Sequence, residues 1–306
     1  MEVPIWIWAS FVGFILLLLL LDLGVFHKKS ETVSFKSAIL WSGVWIMLAM
    51  IFNVLILLWR GENDFMLFLT GYVIEKSLSV DNLFVFLLIF SYFKIPAQYQ
   101  HKILFYGILG ALVMRAVFIW LGTLVLQKFT WVIYIFGGIL VLSGIKMMLP
   151  HKEQSLENSI IIKLIHKIFP TSHHITSDAF FIRHQGKLMM TPMMVTLIFV
   201  EFSDLVFAID SIPAIMGITT DTFLIFTSNV FAILGLRSLY FALQGFADLF
   251  HYLKYGLSVI LIFIGGKMLA SSFFHTPIPV TMGVIFSVIL ISVVASIMTR
   301  PKKINT

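Results

Sequence analysis

The sequence predicts an all-α polytopic membrane protein, folded as a single membrane domain over residues 1–306. Of its residues, 59% are hydrophobic and 12% are charged, whereas roughly 25% of the residues of a soluble domain are charged. The apolar residues form long stretches, and about 20 such residues in a helix cross the ~30 Å hydrocarbon core of a bilayer. A soluble globular protein is therefore excluded, and we expect a multi-pass protein of the cell's inner (plasma) membrane.

Nine apolar stretches are long enough to cross the bilayer, and we expect about nine transmembrane helices. They cover residues 5–26, 37–59, 65–92, 103–126, 131–149, 190–217, 222–245, 253–272 and 277–299. The segment 150–189 is the one long loop between them. Numbered in chain order, these stretches are the predicted helices 1 to 9.

The distribution of basic residues predicts the orientation, because Lys and Arg near helix ends stay on the cytoplasmic side. With the N-terminus outside, most of the 21 Lys and Arg fall inside, whereas Arg60 and Lys128 fall outside. The chain is therefore predicted to be N-out and C-in, with residues 150–189 as a cytoplasmic loop. The net charge of +6 thus reflects membrane topology, and we expect no nucleic-acid partner.

The cytoplasmic loop leaves two interpretations open, because it contains several histidines. These are His151, His166, His173, His174 and His184. A metal-sensing role is one interpretation. A solvated linker with an apolar stretch on the membrane surface is favoured, since the histidine spacing matches no compact ligand motif.

Two acidic segments, in predicted helices 3 and 6, share one pattern. Asp81 follows Glu75 by six residues and Asn82 comes next, while Asp210 follows Asp204 by six and Ser211 comes next. Further along, Arg115 and Lys146 correspond to Arg237 and Lys267 at nearly equal spacing. Three helices per copy invert the second copy relative to the first, as in many secondary transporters that bind substrate where the repeats meet.

The sequence therefore predicts an inverted three-helix repeat. Residues 65–149 (predicted helices 3–5) form the first repeat, residues 190–272 (helices 6–8) form the second, and residues 5–59 and 277–299 form flanking helices. Six residues turn a continuous helix by about 600°, which leaves the two carboxylates of one copy facing different directions. We therefore expect predicted helices 3 and 6 to be broken, the latter near Pro213.

Ionisable groups within the spans are candidate functional residues, because each costs at least ~2.5–3.5 kcal/mol to insert. The candidate metal ligands are Glu75, Asp81, Asn82, Glu201, Asp204, Asp210 and Ser211, and the candidate charge-compensating residues are Lys76, Arg115 and Arg237. Oxygen ligands of this kind suit Mn²⁺, Mg²⁺ and Ca²⁺. The chain has no Cys, so thiolate ligands and disulfides are excluded. A purely structural network of buried ion pairs is the alternative.

The sequence resembles the TerC family of integral membrane proteins, in particular its long, Alx-like branch. The segments that carry the resemblance are DLGVFH at 22–27, TGYVIEKSLSVDNLFVF at 70–86, YGILGALVMR at 106–115, YIFGGILVLSG at 134–144, VEFSDLVFAIDSIPAI at 200–215, TSNVFAILGLRSLYF at 227–241 and LKYGLSVILIFIGGKML at 253–269. The resemblance implies a fold similar to LysE-type transporters and the export of Mn²⁺ from the cytoplasm in exchange for protons. It also implies that the functional acids are Asp81, Glu201, Asp204 and Asp210, with Glu75 as the repeat partner of Asp204.

The sequence alone leaves several functions open. The alternatives to Mn²⁺ export are a membrane scaffold for a tellurite- or stress-resistance complex and a transporter of Ca²⁺ or of divalent cations in general. An enzyme is not expected, since no Ser/His or His-x-x-x-His arrangement lies within a span. We expect no cofactor, with Mn²⁺ as the transported substrate. Protons and membrane lipid are the other expected partners, with Glu75 or Glu201 as proton carriers, and a homo-oligomer is possible.

Overall fold

The structure is a computed structural model that describes residues 3–26, 35–129, 131–149, 179–184, 187–243, 252–271 and 277–299. Five helices come first: α1 (Ile5–Phe26), α2 (Phe35–Arg60), α3 (Glu62–Tyr92), α4 (Ala97–Lys128) and α5 (Val132–Met148). An antiparallel pair of strands follows, β1 (Phe181–His184) and β2 (Lys187–Met190). The remaining helices are α6 (Pro192–Met216), α7 (Thr222–Ile233), α8 (Leu236–Leu243), α9 (Leu253–Leu269) and α10 (Ile278–Met298). Each predicted apolar stretch contains helix.

Several helices have the length and composition of membrane spans. Within the described ranges, five segments are long and apolar enough to cross a bilayer: α2, most of α4, α6, the α7–α8 pair and most of α10. Large apolar side chains such as Leu58 and Leu290 are exposed on their outer surfaces. Exposed apolar surface of this extent is expected where the solvent is lipid. The all-α membrane class predicted from the sequence is confirmed.

The prediction of broken helices in the third and sixth stretches was wrong. Helix α3 runs unbroken from Glu62 to Tyr92, and α6 continues through Pro213 to Met216. Pro213 lies in the last turn of α6, so the backbone hydrogen bond that it removes is near a helix end. Asp204 and Asp210 therefore stay on different faces of a continuous helix, and they meet different neighbours, Arg115 and Ser143.

The interruption lies instead in the seventh stretch, which we expected to be one helix. Helix α7 ends at Ile233 and α8 begins at Leu236, so Leu234 and Gly235 form a turn. Glycine is a poor helix former, which favours a break at this position. The Lys76 ammonium donates to the carbonyl of Ala232 at 3.1 Å, and thereby satisfies an acceptor in the last turn of α7.

A β-hairpin within the predicted cytoplasmic loop was not anticipated. It pairs Phe181 with Met190 and His184 with Lys187. Its strands lack the alternation of apolar and polar residues that predicts a strand. The Thr191 hydroxyl donates to the carbonyl of Ala179 at 2.8 Å, which ties the hairpin to the start of α6. The other loop histidines and the expected membrane-surface stretch lie outside the described residues.

Close packing of small residues joins α5 to α9. A Cβ atom added to Gly137 would lie 2.9 Å from the carbonyl oxygen of Gly265, and one added to Gly144 would lie 2.8 Å from the carbonyl oxygen of Ser258. Helices in membranes approach this closely only where side chains are small. Elsewhere α3 packs mainly on α7, and α4 packs mainly on α6. Helix α1 contacts the bundle through aromatic rings, including Trp8 against Phe223 at 5.2 Å.

Alanine at Gly265 is expected to destabilise the protein, whereas alanine at Gly266 is not. The new Cβ at Gly265 would lie 2.6 Å from the backbone oxygen of Gly137, while nothing lies within 4 Å of a Cβ at Gly266. Overpacking of this kind costs about 1–3 kcal/mol. Thermal unfolding of both purified variants in one detergent measures the difference. Equal melting temperatures would contradict the α5–α9 contact.

The predicted orientation of the chain in the membrane can be tested with topology reporters. The charge distribution predicts that a reporter fused after Thr306 and one inserted near residue 160 are both cytoplasmic, and that a tag before Met1 is outside. Accessibility to a membrane-impermeant reagent in intact cells measures each position. An external reporter near residue 160 would reverse the predicted topology.

Candidate functional site

A buried arginine joins four helices at the centre of the bundle. Arg115 on α4 is 1% exposed, and its Nε and Nη2 atoms donate to the two carboxylate oxygens of Asp204 on α6 at 3.1 and 2.9 Å. Its Nη1 atom donates to Glu75 Oε1 on α3, and also to Asn229 Oδ1 on α7 at 3.2 Å. Paired hydrogen bonds from one guanidinium to one carboxylate are strong and directional. Arg115 therefore holds Glu75 and Asp204 in fixed positions.

A small cavity lies beside this network, between α3, α5, α6 and α9. Its volume is about 10 Å³, which is roughly the space that one water molecule needs. It is lined by Glu75, Leu78, Asn82, Met147, Phe207, Asp210, Ser211 and Leu261. Four of these residues carry oxygen-bearing side chains, and the other four are apolar. The sequence-predicted residues Glu75, Asn82, Asp210 and Ser211 are thus brought to one cavity.

Three oxygens of these lining residues have no hydrogen-bond partner although they are buried. They are Glu75 Oε2, Asn82 Oδ1 and Ser211 Oγ. A buried polar atom without a partner costs about 1–3 kcal/mol, so three on one small cavity require an explanation. The fourth residue, Asp210, accepts a hydrogen bond from Ser143 Oγ at 2.6 Å and lies within electrostatic range of Lys146. The carboxylate, amide and hydroxyl oxygens are of the types that hard divalent cations prefer.

The remaining predicted site residues lie elsewhere. The Glu201 carboxylate is against Gly110 of α4, in the space that a Cβ there would occupy, and Glu201 does not line the cavity. Asp81 is on α3, but its side chain lies outside the described part of the structure. Lys76 contacts the backbone of α7, and Arg237 is buried in α8. The predicted ligands are therefore divided among several places.

No group of three or more His, Asp and Glu side chains, among those that the structure describes, is arranged to hold a metal ion. The predicted cluster of carboxylates is accordingly not a single acidic site in the described residues. Glu75 and Asp204 are engaged by Arg115, and the oxygens at the cavity are of mixed type. Any cation bound there would be held by few carboxylates together with an amide and a hydroxyl.

Sequence reasoning missed three residues of this region. Asn229 accepts from Arg115, Ser143 donates to Asp210, and Met147 lines the cavity. Asn229 had a detectable signal, because an amide within an apolar span is uncommon. Ser143 and Met147 had none, since small hydroxyl and thioether side chains are ordinary in membrane helices.

The chain is similar to known membrane proteins over almost its whole length. Residues 60–304 match the family described as the integral membrane protein TerC family. A protein of Myxococcus xanthus described as an uncharacterized membrane protein is 46% identical over 292 residues, covering 95% of this chain and 92% of its own. A protein of Escherichia coli strain K12, described as a candidate membrane-bound redox modulator, Alx, is 42% identical over 296 residues, covering 94% and 92%. No solved structure matches the chain.

Proposed function

Because this chain belongs to the TerC family of integral membrane proteins, we propose that it exports a divalent metal ion, Mn²⁺ above others, from the cytoplasm by secondary transport. The observation that carries the proposal is the cavity between α3, α5, α6 and α9, where buried oxygens of Glu75, Asn82 and Ser211 have no hydrogen-bond partner. A cation bound among them would satisfy oxygens that are otherwise costly to bury.

The charges around the cavity support a cationic substrate. Glu75 and Asp204 share the single positive charge of Arg115, and Asp210 adds a further carboxylate, which lies within electrostatic range of Lys146. Excess negative charge in a membrane interior is expensive unless a counter-charge is present. A divalent cation supplies that counter-charge, and Glu75 offers it the oxygen that Arg115 does not bind. Asp210 offers the second carboxylate.

The inverted repeat predicted from the sequence forms part of this proposal. The cavity lies between two corresponding segments, 75–82 of α3 and 204–211 of α6, and the matching residues Leu78 and Phe207 both line it. If Lys146 of α5 corresponds to Lys267 of α9, then Gly137 corresponds to Ser258 and Gly144 corresponds to Gly265. The observed close contacts between α5 and α9 are Gly137 with Gly265 and Gly144 with Ser258. The repeat therefore relates each of these two contacts to the other. A site between such repeats near the bilayer midplane is typical of secondary transporters.

Transport is tested directly with the purified full-length protein in proteoliposomes. Mn²⁺ movement is reported by a metal-sensitive dye inside the vesicles, with Ca²⁺ and Mg²⁺ as competitors. We expect Mn²⁺ flux above that of protein-free liposomes. Equal transport of Ca²⁺ would favour the general divalent transporter. No flux of any divalent ion would favour the scaffold of a tellurite- or stress-resistance complex.

Proton exchange is the expected coupling, because the empty acidic site returns across the membrane more easily when protons neutralise it. An imposed pH gradient should therefore drive Mn²⁺ against its own concentration gradient, with proton movement in proportion to Mn²⁺ flux. The measurement uses a pH dye and a Mn²⁺ dye in parallel at clamped membrane potential. Mn²⁺ flux that ignores the pH gradient and moves no protons would contradict the coupling and indicate a uniporter.

The name of the Escherichia coli relative refers to redox modulation. This chain contains no Cys, so a redox role of its own would not use thiol exchange. Metal export is compatible with an indirect effect on cellular redox balance. The likeness to LysE-type transporters stays a prediction, since no solved structure matches this chain.

A further inference from the structure

One wall residue of the cavity differs in chemistry from its neighbours. Leu78, Phe207 and Leu261 offer only hydrocarbon, whereas Met147 carries a thioether sulfur. Thioether sulfur is a soft, polarisable donor that binds metals of softer character. Met147 also packs against the hydrophobic core. The cavity therefore combines hard oxygen donors with one soft donor.

We propose that the Met147 thioether is a ligand of the transported ion and favours transition-metal and other soft divalent ions over Mg²⁺ and Ca²⁺. The inference rests on the proposed function, namely that the cavity binds a divalent cation. Ca²⁺ takes six to eight oxygen ligands, and Mg²⁺ requires near-octahedral oxygen coordination. A position given to sulfur is lost to both of these ions, whereas a softer ion such as Cd²⁺ gains a donor there.

The size of the cavity makes this position important. A volume of about 10 Å³ leaves no room for a full hydration shell around an ion. The side chains that line the wall must therefore replace most of the water ligands. Each wall position occupied by a donor atom, including that of Met147, then has a large effect on which ion is bound.

The local structure of α5 holds Met147 in place. Ser143 lies one turn before it, on the same face of the helix, and donates to the Asp210 carboxylate at 2.6 Å. Gly144, adjacent to Ser143, packs closely against the backbone of α9. One rigid turn of α5 thus orients a carboxylate through Ser143 and presents Met147 at the same cavity. Donors on a firmly packed helix give the fixed geometry that selective binding needs.

The chain offers a matched control in Met268, which corresponds to Met147 in the second repeat. Met268 is buried and packs against Gly217 and Gly137, and it is not among the cavity residues. Replacing either methionine by leucine removes the sulfur and approximately conserves volume, which usually costs less than 1.5 kcal/mol of stability. A general effect of losing a buried methionine would therefore appear in both variants.

The test measures metal binding by the full-length protein in detergent, independently of transport. X-ray absorption at the cadmium edge of the Cd²⁺ complex should show a sulfur neighbour in the wild type and in Met268→Leu, and only lighter neighbours in Met147→Leu. Competition binding should show that Met147→Leu weakens Cd²⁺ binding roughly tenfold or more while Ca²⁺ and Mg²⁺ binding hardly changes.

The outcomes separate this inference from the proposed function. A wild-type spectrum with only oxygen neighbours around Cd²⁺ overturns the inference about Met147 but does not contradict metal transport. The wild-type spectrum gives this answer even if Met147→Leu does not fold. A sulfur neighbour that persists in Met147→Leu also overturns it, because another methionine would be the ligand. Failure of the wild type to bind any divalent ion overturns both proposals.

Discussion

Asp210→Asn should abolish Mn²⁺ efflux while the protein remains folded and inserted. Asparagine has nearly the same shape as aspartate and can still accept the hydrogen bond from Ser143, so the packing of α6 on α5 is preserved. The substitution removes a negative charge from the cavity wall, where the proposed cation would bind. The loss should exceed the roughly 10- to 100-fold decrease in metal affinity that follows removal of a supporting residue.

The measurement is Mn²⁺ flux per molecule in proteoliposomes, at equal reconstituted amounts, together with the melting temperature. Glu62→Gln is the control, since Glu62 is an exposed acid at the start of α3 and does not line the cavity. Asp81→Asn is expected to behave like Asp210→Asn, because Asp81 is the corresponding residue of the first repeat. Wild-type export by Asp210→Asn would count against the cavity as the transport site.

Arg115→Leu should cause the largest loss of stability. The substitution leaves Glu75 and Asp204 buried without the cation that both contact, and breaking a buried ion pair in this way costs about 3–5 kcal/mol. The loss comes mainly from the two uncompensated carboxylates. Adding Glu75→Gln and Asp204→Asn to Arg115→Leu should therefore recover part of the stability, which makes the three residues one energetic unit.

Unfolding of the single and combined variants in one detergent measures the effect. Arg60→Leu is the comparison, because Arg60 also contacts two carboxylates, Asp64 and Asp221, but these are 18% and 24% exposed. Water can solvate them after the substitution, so the loss should be smaller. Equal losses in Arg60→Leu and Arg115→Leu, or no recovery in the combined variant, would contradict a buried network centred on Arg115.

The sequence predicted most of the residues of the site, but it did not predict which of them lie together. Charged and amide side chains within apolar spans are conspicuous in a sequence, because each is costly in lipid. Their partners depend on where each side chain points, and successive residues of a helix point 100° apart. Glu201 and Asp204, three residues apart, both face α4, where Glu201 lies against Gly110 and Asp204 against Arg115. Only the packing of α4 on α6 decides which neighbour each carboxylate meets.

The amino-acid sequence alone determined the membrane class, the positions of the helices and the residues that carry charge into the bilayer. These features depend on local hydropathy and length, which are properties of the chain itself. Tertiary structure decided that α3 and α6 are continuous and that the interruption falls at Leu234 and Gly235. It also decided that Ser143 donates to Asp210 and that Met147 and Asp210 line one cavity. The physical reason is that each of these outcomes depends on neighbouring helices: Lys76 of α3 satisfies a carbonyl near the α7 break, and close contact with α9 fixes the α5 turn that reaches the cavity.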